Sequence, residues 1–78
     1  MMSVTTTSDL PTLIRTLRQH LGLSQEKFAA QLGVSFQTVN RWERGRTKPS
    51  QLAMNAIQQK FSEMDGVVDE LLNLYFKH

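Results

Sequence analysis

A chain of 78 residues with a net charge of +2, 40% hydrophobic residues and no cysteine makes one small domain. That length gives a modest core, marginal in stability unless packing is efficient or a partner helps. The missing thiols exclude a disulfide scaffold, a cysteine nucleophile and thiolate metal sites, and fit a reducing cytosol.

In chain order, residues 1–8 are rich in Thr and Ser and lack the basic-then-apolar order of a signal peptide, so they read as a flexible tail. A first helix is predicted after Ser8 or Asp9, with Pro11 in its first turn, where a missing N–H leaves no helical partner unsatisfied. Leu10, Leu13, Ile14, Leu17 and Leu21 form one apolar stripe at helical spacing. Gly22 ends that helix in a left-handed cap. Ser24 caps a second helix, Gln25–Leu32, with Glu26 in its first turn, where the helix dipole favours negative charge. Phe28, Ala29 and Leu32 face inward, and Gly33 ends the helix. Ser35 then caps a third helix from Phe36 to about Arg44, closed by Gly45. About three residues between the second and third helices force a sharp corner.

The loop Thr47-Lys48-Pro49-Ser50 leads to a fourth helix from Gln51 to about Lys60, with Leu52, Ala53, Ala56 and Ile57 expected inward. Phe61 and Met64 continue the apolar surface. After Asp65-Gly66 a fifth helix runs from Val67 to about Phe76, with too many apolar residues for one narrow stripe. Nothing alternates like a strand, no internal repeat is visible, and no apolar run approaches the roughly 20 residues of a membrane span.

Charge is divided unevenly. Residues 1–60 carry eight Lys and Arg against three Asp and Glu, whereas residues 61–78 carry one against four. The basic excess peaks over residues 41–48, with Arg41, Arg44, Arg46 and Lys48 against Glu43 alone. Such asymmetry fits a basic face for a polyanion and a separate tail with another task; a solvated helix end is the plainer alternative. His20 and His78 lie too far apart to read as a metal-ligand pair, and no phosphate-cradling glycine loop or zinc spacing occurs. The chain therefore reads as a non-enzyme, with no catalytic residue, metal, cofactor or small-molecule ligand implied.

The most specific feature is the stretch Leu23 to Arg46, LSQEKFAAQLGVSFQTVNRWERGR, with Gln25, Ala29, Gly33, Val34, Val39, Trp42, Glu43 and Gly45, and Pro49 beyond it. It resembles the phage-repressor and Cro type of helix-turn-helix, the xenobiotic-response-element family, and the resemblance extends over roughly Leu13 to Ile57. It implies an all-α, compact five-helix domain of the lambda-repressor kind. On this reading 1–8 is the tail, 9–64 the helix-turn-helix DNA-binding domain, and 65–78 a C-terminal helix that completes the core, forms a dimer surface, or does both. Ala29 is small where the third helix crosses the second, Gly33 permits the turn, and Phe28, Val34, Val39 and Trp42 fill the wedge between them.

With Val39 and Trp42 inward, the third helix presents its other side to solvent. Gln can bond an adenine edge twice, Arg can grip guanine O6 and N7, and a thymine methyl offers an apolar contact. The resemblance places base contacts at Phe36, Gln37, Thr38 and Arg41. It places a phosphate at Gln25, on the opening turn of the second helix; Asn40, Arg44, Arg46 and Lys48 are further phosphate candidates. It also implies that Arg18 and Glu43 form a structural pair tying the first helix to the third, the alternative being an exposed Arg18. Val68, Leu71, Leu72, Tyr75 and Phe76 are the candidate dimer surface, since repressors of this type commonly bind two-fold sites with half-sites about one DNA turn apart.

The implied function is a sequence-specific duplex-DNA-binding transcription regulator, a repressor in sign, cytoplasmic, and bacterial or phage-encoded. Its partners are double-stranded DNA and a second copy of itself. The alternative is an antitoxin or adaptor whose fifth helix binds a partner protein. A non-binding adaptor is expected to lose the basic and amide residues of the third helix, and this chain keeps them. No ligand-sensing domain is visible, so control is expected from concentration, a partner or proteolysis.

Overall fold

The computed structural model describes residues 10–76 and the side chains of 10–73. The expected tail, 1–8, lies outside the described residues. The helices are α1 (Leu10–His20), α2 (Gln25–Leu32), α3 (Phe36–Glu43), α4 (Gln51–Ser62) and α5 (Val67–Phe76). There is no strand among the described residues, so the domain is all-α.

Helix ends are set by serine caps and a glycine. Ser24, Ser35 and Ser50 sit in extended backbone, and each hydroxyl accepts from the N–H three residues on, at Lys27, Thr38 and Ala53. Each bond satisfies one of the donors that a helix N-terminus leaves unpaired. Gly33 ends α2 at φ 76°, and the Val34 N–H reaches back to the Ala29 carbonyl at 3.0 Å. That six-residue closure requires a left-handed residue, which glycine supplies without a Cβ clash. It lets Ser35 begin α3 two residues later, and so fixes the angle of the corner.

The core is built from Leu13, Ile14 and Leu17 of α1, Phe28 and Ala29 of α2, Val39 and Trp42 of α3, Met54, Ile57 and Phe61 of α4, and Val68 and Leu72 of α5. The rings of Phe28 and Phe61 stack at 4.9 Å between centroids, joining α2 to α4. Such a pair adds about 0.5–1.5 kcal/mol beyond area burial. α3 packs on α1 and α2, while α5 packs on α1 and α4.

Three sequence expectations are corrected by this packing. Leu52, expected inward, is 78% exposed, and Met54 is buried instead. With the helix capped at Ser50, Met54, Ile57 and Phe61 follow the three- and four-residue spacing of one face, and Leu52 falls off that line. Met64, expected to continue the apolar surface, is exposed, whereas Phe61 is fully buried. On α5, Val68 and Leu72 are 0% and 2% exposed. One turn apart, they close the core of a single chain and are not available as the dimer surface to which they were assigned. Leu71 is partly buried against the same core, and the side chains of Tyr75 and Phe76 lie outside the described residues.

At the α4–α5 junction, the Asp65 carboxylate accepts from the Val67 N–H at 2.9 Å and meets His20 Nε2 at 2.8 Å. These contacts hold the Asp65 carboxyl below its ordinary pKa, the Val67 N–H first and His20 second. They tie the start of α5 to the end of α1. Among the described residues no helix is long and apolar enough to cross a membrane.

Candidate nucleic-acid interface

α3 is eight residues long and has two unlike sides. Val39, Trp42 and Glu43 are buried. Phe36, Gln37, Arg41 and Arg44 are exposed, and Thr38 and Asn40 are half-buried. Gln37, Arg41 and Arg44 fall at i, i+4 and i+7, which aligns them on one helical face. Phe36 is 44% exposed at the opening turn, beside Gln37 in sequence. The Thr38 hydroxyl lies 2.9 Å from Ser35 Oγ. Its polar end is thus engaged with the cap.

The buried side of α3 carries a polar chain. Glu43, 5% exposed, is the one buried charged residue among those described. Arg18 grips it with Nε on Oε2 at 2.7 Å and Nη2 on Oε1 at 3.1 Å, and its Nη1 donates to the Leu23 carbonyl at 3.0 Å. The two residues are thus brought together, α1 to α3, in a fork-on-carboxylate geometry. The hydrogen bonding to Glu43 raises the Arg18 pKa above its ordinary value, against the opposing effect of burial and with help from the Glu43 charge.

Two further residues join the pair. Gln25 Nε2 donates to Glu43 Oε1 at 3.1 Å, and Asn40 Nδ2 donates to Gln25 Oε1 at 3.2 Å. Arg15 donates to the Glu43 carbonyl at 2.9 Å, satisfying one acceptor at the end of α3. No buried side-chain polar atom is left without a partner among the described residues.

The sequence pattern points to Gln25 and Asn40 as separate phosphate contacts, whereas the structure links Asn40 to Gln25 and Gln25 to Glu43. Gln25 and Asn40 are 15 residues apart, and Gln25 and Glu43 are 18. No local spacing signals such contacts. The usable clue was the inward Glu43, a carboxylate with lone pairs beyond those one guanidinium fills.

The network also sharpens the charge pattern. Because Glu43 is enclosed by Arg18, Arg15 and Gln25, its charge is spent inside the fold. Arg41, Arg44, Arg46 and Lys48 are exposed, and no acidic residue occurs from 44 to 62. The exposed stretch that follows α3 in the chain therefore carries cations and no carboxylate as far as residue 62. Low-dielectric walls and clustered charge of one sign attract a polyanion.

The helix-turn-helix family pattern matches residues 14–62, most of α1 through α4. The chain belongs to the Cro-type helix-turn-helix family of DNA-binding domains. Over 46 residues it is 46% identical to an uncharacterized HTH-type transcriptional regulator of Methanothermobacter thermautotrophicus, covering 59% of this chain and 67% of that protein. Over 54 residues it is 37% identical to the type II methyltransferase M.SsoII of Shigella sonnei, covering 65% of this chain and 14% of that enzyme. The chain thus corresponds to a small part of the methyltransferase and about two thirds of the regulator. No solved structure matches it.

Proposed function

We propose that this helix-turn-helix protein is a sequence-specific, duplex-DNA-binding transcription regulator that lays α3 in the major groove and represses by occupying its site. The observation that carries the reading is the division of α3. Val39, Trp42 and Glu43 anchor it to the fold, Gln37 and Arg41 stand free on the other side, and Phe36 is exposed at the opening turn. Gln37 and Arg41 supply the amide and guanidinium that pair bidentately with adenine and guanine edges, and Phe36 and the Thr38 methyl supply apolar contact for thymine. Arg44, at the end of that face, and Arg46 and Lys48, exposed just after it in the chain, are assigned to phosphates, which set register rather than sequence. The stretch shared with the methyltransferase, 14% of that enzyme, is read as a common DNA-binding unit rather than as methyl-transfer chemistry.

Binding as a pair to a two-fold site is the assembly proposed, with Leu71, Tyr75 and Phe76 remaining as its candidate surface. The test is a fluorescence-anisotropy titration of the full chain on a selected duplex over a series of salt concentrations. Three cations on phosphates predict a log–log slope of about −3 per bound chain. A slope near zero, or equal affinity for selected and scrambled duplexes, contradicts the proposal.

A further inference from the structure

Asn40 stands at the outer end of the polar chain, and the chain has a fixed direction. Arg18 can only donate and the Glu43 carboxylate only accepts. Glu43 Oε1 therefore requires the NH2 side of the Gln25 amide, at 3.1 Å. This turns the Gln25 oxygen towards Asn40, which must meet it with its own NH2, at 3.2 Å. The buried carboxylate thus dictates the orientation of two amides in succession. One Gln25 Nε2 hydrogen is committed to Glu43, and the second has no partner among the described residues. The backbone N–H groups of Gln25 and Glu26 open α2 beside it, since the Ser24 hydroxyl and carbonyl take those of Lys27 and Phe28.

We propose that Asn40 is a positioning residue: it acts on DNA through Gln25, holding that amide so that its remaining N–H faces the DNA backbone, rather than gripping a phosphate itself. The proposal rests on the DNA-binding reading above and deepens it. Gln25, the first residue of α2, is half-buried against α3. Fastened by Glu43 on one side and Asn40 on the other, its amide loses little rotamer freedom on binding, and preorganisation of this kind raises affinity without new contacts. Asn40 also lies on the recognition helix, one residue before Arg41, so the same bond fixes the turn of α3 against the start of α2. A phosphate contact and the base-reading face are thereby set in one register.

A double-mutant cycle distinguishes action through Gln25 from an independent contact. Four forms of the full chain are titrated against the selected duplex: parent, Asn40→Ala, Gln25→Ala and the double variant. Asn40→Ala is expected to weaken binding about fivefold, the equivalent of one hydrogen bond. In the Gln25→Ala background the same change is expected to have no further effect. If the two losses multiply, Asn40 touches DNA in its own right and the proposal is overturned. A parent that binds no duplex overturns the DNA-binding reading itself, a different outcome from multiplicative losses in a parent that binds.

A second measurement needs no DNA. In 15N-labelled free protein, Asn40→Ala is expected to shift the Gln25 side-chain amide resonances and speed their exchange with water, while backbone resonances of α1 and α4 stay in place. Unmoved Gln25 side-chain resonances overturn the proposal, because the bond through which Asn40 acts is then absent.

Discussion

Replacing Glu43 by alanine removes the acceptor on which Arg18, Gln25 and, more distantly, Arg15 converge. The guanidinium of Arg18, 16% exposed, keeps its bond to the Leu23 carbonyl but loses its counter-charge. Breaking one side of a buried pair costs about 3–5 kcal/mol, and the partial exposure of Arg18 places the loss near the lower figure, about 3 kcal/mol. A small domain is stable by as little as about 5 kcal/mol, so the variant retains a fraction of its stability. With a urea dependence of about 1 kcal/mol per molar, the unfolding midpoint falls by about 3 M. Far-ultraviolet circular dichroism during urea titration reads this directly, with Trp42 fluorescence as an independent probe. Removing both charges, as Arg18→Met with Glu43→Leu, recovers most of the loss, because no buried charge is then stranded. A midpoint shift under 1 M for Glu43→Ala at unchanged slope refutes the assignment of Glu43 as the buried anchor of α3.

Other expectations follow from single observations. Arg41→Ala leaves the melting temperature close to the parent's, since the side chain is exposed, but weakens binding to the selected site by about 1–3 kcal/mol and relaxes preference at one base pair; unchanged affinity and preference in a competition titration remove Arg41 from the reading face. Gly33→Ala forces a Cβ into φ 76°, and the expected loss is about 1–2 kcal/mol from backbone conformation alone, because nothing lies within 4 Å of the added carbon; a stability equal to the parent's in urea contradicts the left-handed corner. For Asp65, whose folded pKa is lowered by the Val67 N–H and His20, the carboxylate's contribution is present above the ordinary pKa of 3.8 and is lost as pH falls through the depressed folded value. Melting temperatures of parent and Asp65→Asn are therefore expected to converge as pH is lowered from 5 to 2; a constant difference over that range contradicts the linkage.

The sequence made the boundaries of α2, α3 and α4 legible because they are encoded locally. Ser24, Ser35 and Ser50 cap where their position before an apolar-periodic run predicts, and Gly33 ends α2. The two faces of α3 were legible for the same reason, as Val39 and Trp42 follow helical spacing. The inward face of α4 was misjudged at Leu52, because a run with Leu52, Ala53, Met54, Ala56 and Ile57 allows more than one phase and the packing of α2 and α5 selects between them. α5 posed the same problem more severely. Seven apolar residues in ten leave the buried pair undetermined until α1 and α4 choose Val68 and Leu72. The polar chain from Arg18 to Asn40 was half legible. The pairing of Arg18 with Glu43 was implied by family resemblance, whereas Gln25 and Asn40 meet it through tertiary folding across separations that no periodicity spans.

The central claim is that the exposed face of α3 reads duplex sequence. In-vitro selection by the full chain from a library of random duplexes tests it most directly. The account predicts an enriched motif whose major groove the bound protein protects over a few consecutive base pairs, repeated with two-fold symmetry about one DNA turn apart if the chain binds in pairs, and lost or altered at one base pair when Arg41→Ala is carried through the same rounds. A library that stays random after selection, or a motif that Arg41→Ala and Gln37→Ala both reproduce unchanged, contradicts it.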